Sequence, residues 1–297
     1  MEIRPFRPSD ARALANLAST CSRGESDFVL NPLWESKAEL FSEFERFGIS
    51  PREHLLVAHD DDGVVGLVGF LRQPGASSAA LCCPIVSRGS RGRGVGGELL
   101  RAAQQLATGR LGIEVAIAGI GTRNRGGYSL LASHGFRPVR QHFWMRCNHK
   151  VNASLSSLTG FEIRLAQPGD ADAILEIYTA CGFDPRDSDT MRAILDDGRH
   201  THAVSRFDGR VVAFTEIETH WQHRVWVAFV GVVPELRDRG LGSTLVAWAL
   251  KRQFESGAQT AMLMLSPANR TALRAYEKVG FRRARLIDVL EKRLRTD

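Results

Sequence analysis

The clearest hydrophobic pattern lies in the second half of the chain. FEIRL at 161–165 alternates like a short strand, and Pro168 with Asp170 then opens a helix. A second short helix is predicted near 187–197. Strands follow at 201–206 and 211–219, joined by the turn FDGR, with a third at 224–233. A glycine-rich loop leads into a helix over 241–255, a strand at 259–265, a helix opening at Asn269 and a closing hairpin segment after Phe281. In the first half, WESKAELFSEFERF sets Leu40, Phe44 and Phe47 at helical spacing. Strands and helices mixed in this order predict an α/β (α+β) fold built around one sheet.

The order occurs twice. EIRPFRPSDARALANL from residue 2 realigns with EIRLAQPGDADAILEI from residue 162, an offset of 160. Arg91-x-x-Gly94-x-Gly96 realigns with Arg237-x-x-Gly240-x-Gly242 at an offset of 146, and Asn124 and Gly135-Phe136 match Asn269 and Gly280-Phe281 at 145. Four markers in preserved order mean a duplicated domain, and 297 residues are enough for two cores. The domains are expected at 1–150 and 151–297, with the polar, serine-rich run at 148–160 as the seam. The first copy carries about 14 more residues between Asp10 and Arg91, and these are expected within 20–50.

Composition narrows the function classes. With 43% hydrophobic and 24% charged residues, no apolar run of membrane-spanning length and a charged start at MEIRPFRPSD, the chain reads as a globular protein that remains in the cytoplasm. Five cysteines without a C-x-x-C pair predict neither a zinc ribbon nor a disulfide framework. His200 with His202 and His220 with His223 lack an acidic or cysteine partner at a recognisable spacing, so no metal is expected. Residues 1–150 hold 19 basic and 14 acidic side chains, against 20 and 19 in residues 151–297. That bias favours an anionic ligand on the first copy. It is too mild for nucleic acid.

The anion is identified by comparing the two glycine loops. RGRGVGGELL at 91–100 can be spelled G-x-G-x-x-G through Gly92, Gly94 and Gly97, which would point to a dinucleotide. In the second copy Asp238 and Ser243 stand at the first and last of these positions. Only R-x-x-G-x-G, after a strand and before a helix, survives in both. No G-K-[ST] follows either loop, so a nucleotide P-loop is excluded. Glycines here let consecutive backbone N–H groups converge on an anion at the positive end of a helix, and a pyrophosphate fits that cradle.

Carried by VGVVPELRDRGLGSTLVAWAL (230–250) and NRTALRAYEKVGF (269–281), the chain resembles the GNAT superfamily of acyl-CoA-dependent N-acyltransferases, in tandem. The resemblance implies two mostly antiparallel sheets, each with a fourth and fifth strand that splay apart and admit the pantetheine arm of acetyl-CoA. It implies a cofactor site at Val230, Val232, Arg237, Asp238, Arg239, Gly240, Leu241, Gly242, Ser243 and Asn269 in the second copy. Its counterpart in the first is Val86, Arg91, Gly92, Arg93, Gly94, Val95, Gly96, Gly97 and Asn124, with Arg91 and Arg237 adding a fixed charge.

Tyr276 stands where this superfamily usually keeps its general acid, whereas the first copy has Leu131 there. Leucine cannot donate a proton, so catalysis is expected in the second copy and cofactor binding alone in the first. The fourth strand offers no glutamate, and Glu216 and Glu218, alternating onto one face of the preceding strand, are the candidate bases, with His220 behind them. Asp184, Asp187 and Asp189 hint at a cationic amine acceptor, small molecule or peptide. The competing class is a non-catalytic acyl-CoA sensor, for which both loops are equally expected but Tyr276 and the strand carboxylates are not.

Overall fold

Each copy begins with the same polar knot. The Asp10 carboxylate accepts two hydrogen bonds from Arg4, at 2.8 and 2.9 Å, and one from the Arg7 amide at 2.8 Å. Asp170 does the same with Arg164, at 2.7 and 2.8 Å, and with the Gln167 amide at 2.8 Å. Hydrogen bonding to the arginine, opposed by burial, holds both carboxyls below the usual carboxylate range. The matching motif in the sequence is therefore a clamp that fixes a first strand to a first helix.

The computed structural model describes residues 1–61, 63–73, 75–148, 151, 158–183 and 186–294; most of the serine-rich seam and Asp184 lie outside them. Two compact units result: Met1–His142 with Arg285–Asp297, and Phe143–Ala284. The first half of the chain contributes β1 (Glu2–Pro5), α1 (Ala11–Cys21), α2 (Lys37–Arg46), α3 (Pro51–His54), β2 (Leu55–Asp60), β3 (Gly63–Leu71), β4 (Ser78–Val86), α4 (Val95–Leu106), β5 (Val115–Gly121), α5 (Arg125–Ser133) and β6 (Arg137–Asn148). The second contributes β7 (Phe161–Leu165), α6 (Ala171–Ala180), α7 (Ser188–Asp196), β8 (His200–Phe207), β9 (Arg210–Trp221), β10 (Arg224–Val232), α8 (Leu241–Glu255), β11 (Thr260–Leu265), α9 (Arg270–Val279) and β12 (Arg282–Arg293). No helix among the described residues is long and apolar enough to cross a membrane.

The first unit's sheet runs β1-β2-β3-β4-β5-β12 and the second's β7-β8-β9-β10-β11-β6. Each therefore takes its last strand from the other half of the chain. β12 pairs antiparallel with β5 from Ile287 opposite Gly121 to Arg293 opposite Val115, and β6 pairs with β11 from Phe143 opposite Leu265 to Asn148 opposite Thr260. The hairpin expected after Phe281 is thus one continuous strand. RRARLIDVLEKR has no glycine, proline or asparagine with which to turn.

In both sheets the parallel pair parts early. β4 and β5 are paired only from Ser78–Val115 to Ala80–Ile117, and β10 and β11 only from Arg224–Thr260 to Trp226–Met262. Beyond those points the strands splay, as the resemblance implied. In the second unit the sheet has a core on each face. Ala213 and Ile217 of β9 join Leu245, Leu250 and Leu273 of α8 and α9, while Phe214 joins Ile174, Tyr178 and Met191 of α6 and α7. The helical period of α1, with Leu14, Leu17, Ala18 and Cys21 buried, seats it in the corresponding core of the first unit.

Candidate active site

The loops joining β4 to α4 and β10 to α8 have one conformation. Gly92 and Gly94 have φ of +76° and +84°, and Asp238 and Gly240 have +62° and +82°. The first of these positions is left-handed in both copies. Aspartate tolerates that region better than most side chains, so the G-x-G of the first copy and the D-x-G of the second meet the same demand. The helix that follows leaves its first amides, those of Val95 and Gly96 or of Leu241 and Gly242, without intrahelical acceptors and facing the loop.

The arginine repeated in both loops also has a bracing role. Arg91 Nε donates to Val86 O at 3.1 Å and its Nη2 to Cys21 O at 2.9 Å; Arg237 repeats this with Val232 O at 3.1 Å and Ala180 O at 3.2 Å. Both guanidiniums brace the loop against the strand end and the C-terminus of the first helix. Both still line their cavities, and both are exposed, as are Arg93 and Arg239 beside them.

A cavity of about 380 Å³ opens on the first loop and one of about 660 Å³ on the second. Val86, Arg91, Gly92, Gly94, Val95, Gly96, Gly97 and Asn124 line the first, and Val230, Val232, Arg237, Asp238, Gly240, Leu241, Gly242, Ser243, Asn269 and Tyr276 line the second. Arg93, Arg239, Glu216 and Glu218 line neither. Sequence reading missed Thr271, Arg274 and Lys278 on the second wall. Their three- and four-residue spacing along α9 is the signal that could have found them. Asn124 and Asn269 cap α5 and α9, accepting from Gly127 N at 2.9 Å and Ala272 N at 3.1 Å.

Tyr276 is half-buried on α9, its ring edge-on to Phe281 at 5.6 Å. Burial pushes its phenol well above the usual tyrosine value, which keeps the proton on oxygen at neutral pH. Leu131 lines the first cavity and is itself buried.

Glu216 and Glu218 lie buried on the opposite face of the second sheet, the face covered by α6 and α7. Arg186 donates to both oxygens of Glu216 at 3.0 and 3.4 Å, His200 Nδ1 lies 3.2 Å away and His202 Nε2 3.4 Å. The Arg186 guanidinium also sits 5.3 Å from the ring centres of Tyr178 and Phe229. Burial pushes Glu216 up, but the hydrogen bond with His200, the neighbouring His202 ring and the Arg186 charge outweigh that and hold it well below the usual carboxylate range. The ring of His220 is 5.2 Å from that of His200.

This cluster was invisible to spacing because its members come from two strands and a loop. Ligand atoms of His200, Glu216 and Glu218 fall within 4.8 Å of one another, close enough for a cation. Arg186 already supplies positive charge to Glu216 there. Of the three aspartates expected near the acceptor, Asp187 caps α7 through Thr190 N at 2.8 Å and Asp189 pairs with Arg192 at 3.2 Å.

Comparison with known proteins agrees with this architecture. The acetyltransferase (GNAT) family matches residues 14–136 and 171–281. A mycothiol acetyltransferase of Thermobispora bispora is 29% identical over 99% of both chains, and one of Thermomonospora curvata is 30% identical over 75% of this chain and 77% of that one. A GCN5-related N-acetyltransferase from Sphaerobacter thermophilus superposes with a TM-score of 0.81 at 22% identity, covering 99% of this chain and 96% of that one. A tandem GNAT protein from the clavulanic acid biosynthesis pathway gives 0.74 at 16%, covering 100% and 99%. Two loops, two splayed sheets and these matches place the chain in the acetyltransferase (GNAT) family, as a tandem acyl-CoA-dependent N-acetyltransferase.

Proposed function

We propose that the second unit transfers acetyl from acetyl-CoA to a small-molecule amine of the mycothiol type, and that the first unit binds CoA without transfer. One observation carries this reading: the Tyr276 phenol lines the second cavity where Leu131 lines the first. Both copies keep the pyrophosphate cradle, and only one keeps a proton donor. The acceptor class is taken from the relatives' names, and five free cysteines, four of them buried, suit a reducing cytoplasm.

An alkylammonium is only about one part in 10³ neutral at pH 7, so freeing the nucleophile costs roughly 4–5 kcal/mol without a base. The base role falls to the Glu216–Glu218 pair on the α6–α7 face, acting through water, with Glu216 the weaker acceptor because Arg186 holds it ionised. The amine nitrogen then bonds to the thioester carbon through the parted strands. The C–S bond breaks, the thiolate takes a proton from Tyr276, and the amide nitrogen loses its second proton to solvent. Acid and base stand on opposite faces of the sheet, with the splay between them.

The test follows free-thiol release from acetyl-CoA across a panel of amines that includes aminosugar and cysteinyl-amine acceptors. Turnover with a small amine of this group is expected. Absence of transfer across the whole panel, with tight CoA binding retained, would favour a sensor.

A further inference from the structure

The two clefts differ in a way that neither loop nor cavity size explains. In the first unit the chain between α1 and α2 returns into the sheet. Leu30 N donates to Gly119 O at 2.8 Å, Gly121 N donates to Phe28 O at 3.0 Å, and Val29 bridges Ile120 in antiparallel fashion. On the other side Cys83 N donates to Asn31 O at 3.0 Å. Residues 28–31 therefore join the inner edges of β4 and β5 beyond Ala80 and Ile117, where those strands have parted. This segment falls in the stretch where the first copy is longer than the second.

β5 is shaped to receive it. A Cβ at Gly119 would meet the Leu30 side chain at 2.8 Å, and one at Gly121 would meet Phe28 Cβ at 3.3 Å. The second copy, at the offset of 145, has Met264 and Ser266 at these positions. Asn124, besides capping α5, donates from Nδ2 to Phe28 O at 3.3 Å. In the second unit, among the described residues, no backbone hydrogen bond joins the segment between α6 and α7 to β10 or β11.

Transfer needs an amine to reach the acyl carbon between parted strands. It also needs a strand-edge amide for the charge that develops on the acyl oxygen. In the first unit the Cys83 and Gly121 amides and the Gly119 carbonyl are already taken. We propose that residues 28–31 are a built-in strand that closes the acceptor side of the first cleft, so that a CoA thioester gripped by the 91–97 loop is held there and shielded from acceptors. This rests on the reading that the first unit binds CoA. It adds a barrier independent of the missing acid at Leu131.

Hydrogen exchange on the full-length protein tests the seating of this strand. The amides of Leu30, Cys83 and Gly121 are expected to exchange slowly without ligand and to remain slow with acetyl-CoA, while those of Val95 and Gly96 slow further on its addition. Leu30 exchange as fast as that of an exposed loop, or accelerated by acetyl-CoA, overturns the proposal. Shielding is read in Gly242→Glu protein, where acetyl-CoA bound to the first unit is challenged with hydroxylamine. The bound thioester is expected to be cleaved about tenfold or more slowly than free acetyl-CoA, and adding Gly119→Val, which collides with Leu30, is expected to abolish the protection. Equal cleavage of bound and free thioester overturns the shield. Placement of catalysis in the second unit fails on a separate observation, undiminished turnover by Tyr276→Phe, which leaves the exchange result standing.

Discussion

Tyr276→Phe is expected to lower kcat about 10²–10⁴-fold, roughly 3–5 kcal/mol of barrier, while leaving acetyl-CoA affinity and thermal stability nearly unchanged. The ring keeps its edge-on contact with Phe281, so packing survives. What is lost is a proton that burial holds on oxygen beside the second cavity. A hydroxyl with only a structural role would give the reverse pattern, with about 1 kcal/mol of stability lost and little kinetic change. Steady-state kinetics beside a thermal melt separate the two. Equal kcat in both proteins would remove Tyr276 from the mechanism.

Glu216→Gln is expected to cost about 3 kcal/mol of stability and most of the activity. Breaking one partner of a buried ion pair typically costs about 3–5 kcal/mol, and the lower end applies because Arg186 is 22% exposed while Glu216 is fully buried. The pH dependence has a defined sign. A carboxyl held below its unfolded value contributes stability that is fully present above about pH 4–5 and is lost as pH falls through the lower folded value. The gap in Tm between wild type and Glu216→Gln should therefore close on acidification. Arg186→Met removes one of the charges that hold the carboxyl down, so burial pushes it up and the acid limb of the rate profile moves to higher pH. A limb that stays in place would show that Glu216 takes no part in the proton transfer.

Much of this fold was legible because its signals are local. The strand and helix order of the second half, the 241–255 helix and the asparagine start of α9 follow from periodicity and capping residues that act within a few positions. The repeat turned a moderate glycine motif into a specific one. What escaped reading depends on partners distant in sequence. The exchange of β6 and β12 between units leaves no mark except a missing turn. The polar cluster around Glu216 draws on β8, β9 and the loop before α7. The bracing contacts of Arg91 and Arg237 with the carbonyls of Cys21 and Ala180 could not be read either, because those partners lie more than fifty residues away. Gly119 and Gly121 carry no local signal of the Leu30 and Phe28 side chains that lie against them.

The division of labour between the two units is tested most directly by matched substitutions in their loops. Gly96 and Gly242 occupy the same position in the first turns of α4 and α8; a Cβ at Gly242 makes only ordinary contact with Val232 at 3.5 Å, and one at Gly96 meets just the end of the Leu130 side chain at 3.1 Å. Glutamate at either site sets a carboxylate in the anion cradle and displaces the pyrophosphate while the fold is kept. Free-thiol release from acetyl-CoA, measured with a verified amine acceptor, should continue in Gly96→Glu protein and be lost in Gly242→Glu protein. Turnover that is lost in Gly96→Glu protein and kept in Gly242→Glu protein would contradict the assignment of catalysis to the second unit.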